Sequence, residues 1–559
     1  MQKISSLLVF LLLLQFSFAQ SSKTYLVVFK DKKNSPYSIS EPKKYLSEKS
    51  IARRLKQNIA INSSDLPVNP NYIDDVKALG VFVKNQSKWM NAIAISTNDD
   101  SRIIEIKKLS FVKEIILTLD EASVKIHSTK FEVEKETKLL SQNLSTEKMP
   151  TVLNYGPSFF QVNQIGMDCM HNAGFMGQGM TIAILDAGFF KVDSLPAFDS
   201  LWTNNQILGC RDIVVGDTLV FEDFPHGMNV LSCMGGNLPG QLVGTAPKAK
   251  FWLLRTEDAF TETLQEEVNW LVGAEFADSV GADVINSSLG YSKFDGGIGD
   301  HYYSDMDGNT TIISNAADWA VGKGIFVTTS AGNAGGPPWF KITAPADADS
   351  ALTVGAVDSA GVITGFSSRG LTFDGRIKPN TCARGSQAIV ASTLGGITGA
   401  SGTSFSSPIT AGSIACLLQA NPSATPVELI YAIQLSASQA LTPDSIKGYG
   451  IPNFCKADSI LGYVLSVNTI PANQESVLSV YPNPFNSNFV IDFYSAKKET
   501  ILIELYDVAG RKVTTQGQVV FANTNNKFSL ANISTIAKGV YSLRVIGSDK
   551  TYFSKIIKQ

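Results

Sequence analysis

The chain has 559 residues, more than a single hydrophobic core supports, so several domains are expected. Its 44% hydrophobic and 17% charged residues describe a globular protein rather than a disordered one. The net charge is −3, and without a basic domain or stripe the sequence argues against a nucleic-acid partner.

In chain order, Lys3 precedes the apolar run Leu7 to Leu14, and Ser17-Phe18-Ala19 sets small residues before Gln20. This pattern predicts a signal peptide over 1–19, because the run is too short to cross a bilayer. No later segment is long and apolar enough for a transmembrane span, so the exported protein is expected to be soluble or held at a surface by other means. Thr24 to Phe29 reads as a strand, Lys43 to Lys56 as helix-compatible, and Ala92–Ile95 and Val112–Leu117 as strands. Together they make a small α/β unit over 20–120. A linker follows over 121–152, charged and rich in Ser and Lys up to 148, with the composition of an exposed segment.

From 153 to 463 glycine becomes frequent, and short apolar runs alternate with amphipathic segments. The runs are Thr181–Leu185, Ala249–Leu254, Val284–Ser287, Ile325–Thr329 and Leu352–Val357. Strands apolar throughout are buried on both faces, which predicts an α/β fold with a doubly wound, mostly parallel sheet. Residues 464–475 are a polar linker. Over 476–559, Ile501–Tyr506 and Val540–Val545 alternate as strands do, with turn residues after Tyr506 and no helical period, which predicts a small β-sandwich. The six cysteines include no CxxC pair, so a zinc site is not expected. Cys169, Cys233 and Cys416 lie among apolar residues and read as buried small hydrophobes; Cys210, Cys382 and Cys455 stay open.

Chemistry-bearing residues stand at the ends of apolar runs. Ile182-Ala183-Ile184-Leu185-Asp186-Ala187-Gly188 ends a strand with a carboxylate. His226-Gly227 and Gly402-Thr403-Ser404-Phe405-Ser406-Ser407-Pro408 each open a helix. A serine hydroxyl becomes a nucleophile when a base takes its proton and an anion holds that base in one tautomer. A helix beginning at Ser404 also directs free N–H groups and a positive dipole end at developing negative charge. Thr328-Thr329-Ser330-Ala331-Gly332-Asn333-Ala334-Gly335 ends a further strand with an amide that can donate to an oxyanion. Singly, each residue has a plainer account: Asp186 a turn, Ser404 an N-cap, Asn333 a turn between glycines. Their joint occurrence outweighs those accounts. Among the four histidines, His127 lies in the charged linker, His171 precedes the first core strand and His301 lies in a polar loop.

Taken in order, Asp-Ala-Gly, His-Gly, Ala-Gly-Asn and Gly-Thr-Ser-Phe-Ser-Ser-Pro resemble the subtilisin-like peptidases. So do Gly244-Thr245-Ala246-Pro247, Asn286-Ser287-Ser288-Leu289-Gly290, Val354-Gly355-Ala356-Val357-Asp358 and Phe366-Ser367-Ser368. The order Asp, His, Ser is that of subtilisin and not of the α/β-hydrolases, whose Gly-x-Ser-x-Gly is also missing at Ser404. The resemblance implies a secreted serine endopeptidase that cleaves polypeptides through an acyl-enzyme, with Asp186, His226 and Ser404 as triad and Asn333 as oxyanion donor. It implies that Ser288, Leu289 and Gly290 form the edge that pairs with an extended substrate. Ala331, Gly332 and Thr343 would wall the pocket for the side chain before the scissile bond. No cofactor is required on this reading, and a monomer is expected. The resemblance also implies calcium held shortly after the histidine helix, where the loop Gly235–Gly240 offers Asn237 as its one side-chain ligand; Asp305 to Asn309 has a calcium-like spacing, with a solvated loop as the plainer account. Departures from the family are Met228 for threonine, Asn229 for a second histidine and Arg384 for proline. The flanks resemble a subtilase propeptide over 20–120, with the processing site in the linker, and the C-terminal sorting domain of type IX secretion cargo in Bacteroidetes over 476–559. That sorting domain implies the type IX machinery as partner and release or attachment at the cell surface. The rival reading is a surface binding protein on a decayed peptidase scaffold.

Overall fold

A computed structural model describes residues 21–127, 129–131, 152–466, 478–507, 511–531, 533–548 and 551–559. The predicted signal peptide and most of the predicted processing segment lie outside them.

The central element is a seven-stranded sheet built from β5 (Thr181–Asp186), β6 (Ile207–Asp212), β7 (Lys250–Arg255), β8 (Val284–Ser287), β9 (Phe326–Ser330), β10 (Leu352–Val357) and β11 (Thr381–Arg384). Its order is β11-β10-β9-β8-β5-β7-β6, and every pairing is parallel. The all-apolar strands follow from covering on both faces. In β5, Ile182 and Ile184 join one core with Val230, Leu231, Ile414 and Leu417. The alternate residues Ala183 and Leu185 join the other with Trp270, Leu271, Ile313 and Ala317. The first face is covered by α4 (His226–Gly235) and α7 (Thr403–Ala420), the second by α5 (Leu264–Val280) and α6 (Ile312–Gly322). Side chains that alternate across a strand therefore feed two separate cores. The chain leaves β5 for β6 and β7 on one side and returns to β8 on the other. That reversal opens a crevice at the strands' C-terminal ends, where such sheets bind ligands.

The N-terminal unit is an antiparallel sheet of β1 (Lys23–Phe29), β2 (Phe82–Ser87), β3 (Ala92–Thr97) and β4 (Val112–Asp120), ordered β2-β3-β1-β4. Val27, Phe29, Ile93 and Ile95 face α2 (Pro70–Lys77) and α3 (Asp100–Lys108) through Ile73, Val76 and Ile106. Leu26, Val28, Ala92 and Ala94 turn the other way, against Val268 of α5 and Ile312 of α6. The sheet thus needs the central domain to cover its second face. Polar groups reinforce the junction: Asp278 of α5 is fully buried and accepts from Arg53 at 2.5 Å, Arg54 at 2.9 Å and Lys88 at 3.1 Å. Arg53 and Arg54 lie on α1 (Glu48–Lys56), whose position falls within the helix-compatible stretch of the sequence.

The C-terminal region has no helix among its described residues. It forms a sheet of β12 (Leu478–Tyr481), β13 (Val490–Ser495) and β16 (Thr524–Phe528) and a sheet of β14 (Glu499–Asp507), β15 (Lys512–Val520), β17 (Gly539–Ile546) and β18 (Thr551–Lys558). Phe489, Ile491 and Phe493 from one sheet meet Ile503, Leu505, Leu543 and Val545 from the other, as a sandwich requires.

Two expectations need correction. Cys169 is not a lone buried thiol but pairs with Cys455, joining the helices Met167–Asn172 and Phe454–Ser466 across 286 residues of sequence. Cys233 and Cys416 are free and buried, as expected, and Cys382 is also buried. The second correction concerns residues 127 and 129–131, part of the linker expected to be exposed over 121–152. His127 N–H donates to Phe260 O at 2.9 Å and Lys130 N–H to Ala259 O at 3.1 Å, so this segment lies along the central domain.

Candidate active site

Asp186 closes β5, which is paired on both sides, and it is fully buried where α4 approaches the strand's end at Gly227. Its Oδ1 accepts the Ala187 N–H at 2.8 Å and lies 2.7 Å from His226 Nδ1. A carboxylate only accepts, so Nδ1 carries the ring proton and Nε2 is left as an acceptor. His226 is the first residue of α4. Close approach of that helix to β5 requires Gly227, where a Cβ would come within 2.4 Å of Gly188 O and 3.0 Å of Asp186 Cβ.

Ser404 is the second residue of α7. Its Oγ donates to Ser288 O at 3.2 Å, while Ser288 Oγ donates to Ser404 O at 2.8 Å. The second bond has a cause in the sequence. Pro408, four residues on, lacks the N–H that would take up the Ser404 carbonyl, and Ser288 supplies the missing donor. Ser407 Oγ adds a bond to Asn286 Oδ1 at 2.9 Å, so the helix start is clasped to the end of β8.

Asn333 lies just beyond β9. Its Oδ1 accepts from Thr403 N–H at 2.9 Å and Thr403 Oγ1 at 2.8 Å. With the oxygen so engaged, the NH₂ is the free end of the amide beside Gly402 and Ser404. Thr343 is buried between Gly290 and Gly332: a Cβ at either glycine would meet its Oγ1, at 2.3 and 2.7 Å. At Gly332 the φ of +100° also excludes an ordinary side chain. Ser288, Leu289, Gly290, Gly332, Asn333, Thr343 and Ser404 line one cavity of about 310 Å³. Ala331, fully buried, belongs instead to a small apolar cluster with Ile342 and Ala346 behind that wall.

The same cavity is lined by Lys130 and Phe131 from the N-terminal side. The Phe131 ring stacks on His226 with centroids 4.2 Å apart. With this segment seated, His226 and Ser404 are each only 7% exposed. Lys130 Nζ reaches Glu262 at 3.1 Å, Glu266 at 2.9 Å and Glu257. Burial pushes the carboxyls of Glu257 and Glu266 up and that of Glu262 up to about 7. Burial works against the Lys130 ammonium, but Glu257, Glu266 and Glu262 outweigh it and raise its pKa.

Sequence reasoning missed this acidic group, the lysine that fills it and the phenylalanine that covers His226. The available signal was the crowding of Glu257, Glu262 and Glu266 directly after an apolar strand, at the end of the sheet where ligands bind. The other histidines have structural partners: His171 bonds Tyr155 and Thr245 O at 2.7 and 2.9 Å, His301 bonds Glu267 at 2.5 Å, and His127 bonds Asp295 at 3.0 Å.

The residues around Asn237 do not fit a calcium cage. Asn237–Leu238 pairs with Leu242–Val243 in a short antiparallel ladder. The one group of three acidic, histidine or cysteine side chains among the described residues is Glu257, Glu262 and Glu266, elsewhere. Asp305 and Asp307 accept the N–H groups of Tyr302, Asn309 and Thr310 and so shape their own turns. The departures are absorbed locally: Met228 is buried in the core, Asn229 donates to Ala391 O at 2.8 Å, and Arg384 donates to Ser386 O and Gln387 O.

Comparison with known proteins agrees with this geometry. Residues 24–136 match a family profile described as the peptidase S8 propeptide domain of Bacteroidota, 177–450 match the subtilase family, and 479–559 match a secretion system C-terminal sorting domain. The chain is similar to subtilisin E of Bacillus subtilis, at 28% identity over 340 residues covering 59% of this chain and 77% of that one. It is 29% identical to a subtilisin of Bacillus pumilus over 285 residues, covering 50% and 91% of the two chains. It is also 29% identical to the serine protease AprX of Bacillus subtilis over 282 residues, 45% and 60% of the two. The chain therefore belongs to the subtilase family, as a subtilisin-like serine peptidase preceded by a propeptide and followed by a sorting domain for type IX secretion to the cell surface or beyond.

Proposed function

We propose that the mature protein is an endopeptidase in which Asp186, His226 and Ser404 form the triad and Asn333 stabilises the oxyanion. The observation that carries the reading is the 2.7 Å contact between His226 Nδ1 and Asp186 Oδ1, made in the crevice into which the N-terminus of α7 opens. In the reaction, Ser404 Oγ turns from Ser288 O, gives its proton to His226 Nε2 and bonds to the substrate's carbonyl carbon. The oxyanion takes hydrogen bonds from the Asn333 NH₂ and the Ser404 backbone N–H. His226 then protonates the departing amine, and water activated by the same nitrogen hydrolyses the acyl group from Ser404. Asp186 keeps the ring in the tautomer that both steps need. Ser288, Leu289 and Gly290 pair with the substrate backbone, and Gly332 and Thr343 wall the adjoining pocket.

Residues 20–120, with the segment that follows, act as an inhibitor until cleavage within 121–152 releases them. A decayed binding scaffold would have no use for the amide of Asn333 locked by Thr403 beside Ser404. The test is labelling of the mature protein with a fluorophosphonate, followed by peptide mapping. Label on Ser404 is expected; label on another serine of a folded, active protein would overturn the assignment.

The junction with the inhibitory unit also predicts a pH dependence. Glu275 of α5 accepts from Ser87 Oγ at 2.5 Å, Lys88 N–H at 2.7 Å and Trp89 N–H at 3.1 Å, and burial pushes its carboxyl up to about 7. Once the N-terminal unit leaves and water reaches it, Glu275 returns towards the ordinary carboxylate range of about 4.3. The complex therefore binds more protons than its separated parts, and its affinity falls as pH rises from about 4.5 through about 7. Asp278, held down to about 2, contributes equally across that window. The inhibition constant of the propeptide on the mature enzyme is expected to be at least roughly tenfold weaker at pH 8 than at pH 5.5, one pK unit of linkage being tenfold. A constant that is flat or tightens with pH would contradict this account.

A further inference from the structure

We infer that Glu257, Glu262 and Glu266 form a substrate subsite for a basic side chain, the one that Lys130 fills in the zymogen. This inference rests on the peptidase reading above and deepens it by naming the class of substrate.

Three observations carry it. The carboxylate oxygens of the three residues lie within 4.8 Å of one another, and the Glu257 and Glu266 side chains are each only 3% exposed. Like charges so crowded and so dry need a cation among them. The cation present is an ammonium on a segment bonded into the cleft: Lys130 N–H pairs with Ala259 O, its Nζ also donates to Thr261 O, and the next residue, Phe131, lies on His226. A peptide segment thus occupies the catalytic cleft, with one side chain among the carboxylates and the next on the histidine.

The third observation concerns what remains when Lys130 departs. Glu266 is the third residue of α5 and accepts from Thr263 N–H at 3.1 Å and Asp258 N–H at 3.2 Å. Glu257 takes the hydroxyl of buried Tyr291. Both carboxylates are thus held by the catalytic domain itself, so the subsite persists without the propeptide. A lysine or arginine one position before the residue that covers His226 replaces Lys130 and restores the neutralising charge. An uncharged side chain at that position leaves the carboxylates without a countercharge, and an acidic one adds repulsion.

The test uses the secreted mature enzyme and internally quenched peptides copying residues 126–137, with Lys at the position of Lys130 or with norleucine, which keeps the length but not the charge. A loss of kcat/KM of roughly 30-fold or more is expected for norleucine, the range for leaving buried charge unpaired at a contact. The lysine-to-norleucine ratio should shrink towards one in Glu262→Gln and in Glu266→Gln. Equal rates for the two peptides in wild type would overturn the subsite, as would a ratio unchanged in both variants. Cleavage of casein with neither peptide cut would also overturn it, while leaving the peptidase reading intact. Failure of casein hydrolysis together with failure of fluorophosphonate labelling would instead remove the peptidase reading itself.

Discussion

Ser404→Ala is expected to lower kcat by about 10⁶-fold, the loss that accompanies removal of the nucleophile in subtilisin and is carried over here by analogy. The structural cost should be small. Ser404 Oγ makes one bond, to Ser288 O, whereas the contacts that anchor the start of α7 use the Ser404 carbonyl, Ser407 and Thr403. Thermal unfolding should therefore move little while turnover disappears. The same variant should accumulate as a longer species that retains the N-terminal unit, if the chain cuts its own linker. Expressed in a host without other peptidases, wild type and Ser404→Ala would then differ in N-terminal sequence. Residual turnover within tenfold of wild type would place the nucleophile elsewhere, and identical N-termini would rule out self-cleavage. His226→Ala should be nearly as severe, because members of a triad act as a unit.

Asn333→Ala is expected to lower kcat by roughly 10²–10³-fold with a smaller change in KM, the range found for the oxyanion asparagine of subtilisin and likewise carried over by analogy. Asn333 is exposed, so truncation removes no core packing. Its loss does leave Thr403 N–H and Oγ1 without their acceptor at the start of α7. A second variant separates the two effects. Thr403→Val keeps the Asn333 NH₂ but removes one of the two bonds that orient it, so its kcat should fall less than that of Asn333→Ala. A rise in KM with kcat unchanged for Asn333→Ala would mean ground-state binding rather than oxyanion stabilisation.

Much of the central domain is legible because its signals are local. Buried parallel strands must be apolar on both faces, so Thr181–Leu185, Val284–Ser287 and Leu352–Val357 stand out without any partner being known. Asp186 and Asn333 are legible for a related reason, since each closes or follows an apolar run, while His226 and Ser404 are marked by the small residues beside them and by the helices they open. What could not be read was who meets whom. Strand β2, Phe82-Val83-Lys84-Asn85-Gln86-Ser87, is polar because it sits at the sheet's edge, and its composition hides it. Cys169 reads as a buried small hydrophobe and Cys455 stays open, and only the packing of two helices far apart in sequence brings them together. Lys130 and Phe131 have the composition of a solvated linker until the cleft supplies three carboxylates and an imidazole.

The sequence by itself determined the layered α/β architecture, the C-terminal sandwich and the chemical identity of the residues at the crevice, since period, turn chemistry and motif are properties of short stretches. Tertiary structure alone decided that Ser288 completes the carbonyl freed by Pro408, that Thr403 orients Asn333, and that an acidic pocket is filled by the chain's own lysine. These are contacts between segments tens to hundreds of residues apart, and their energies exist only after the loops between them have closed.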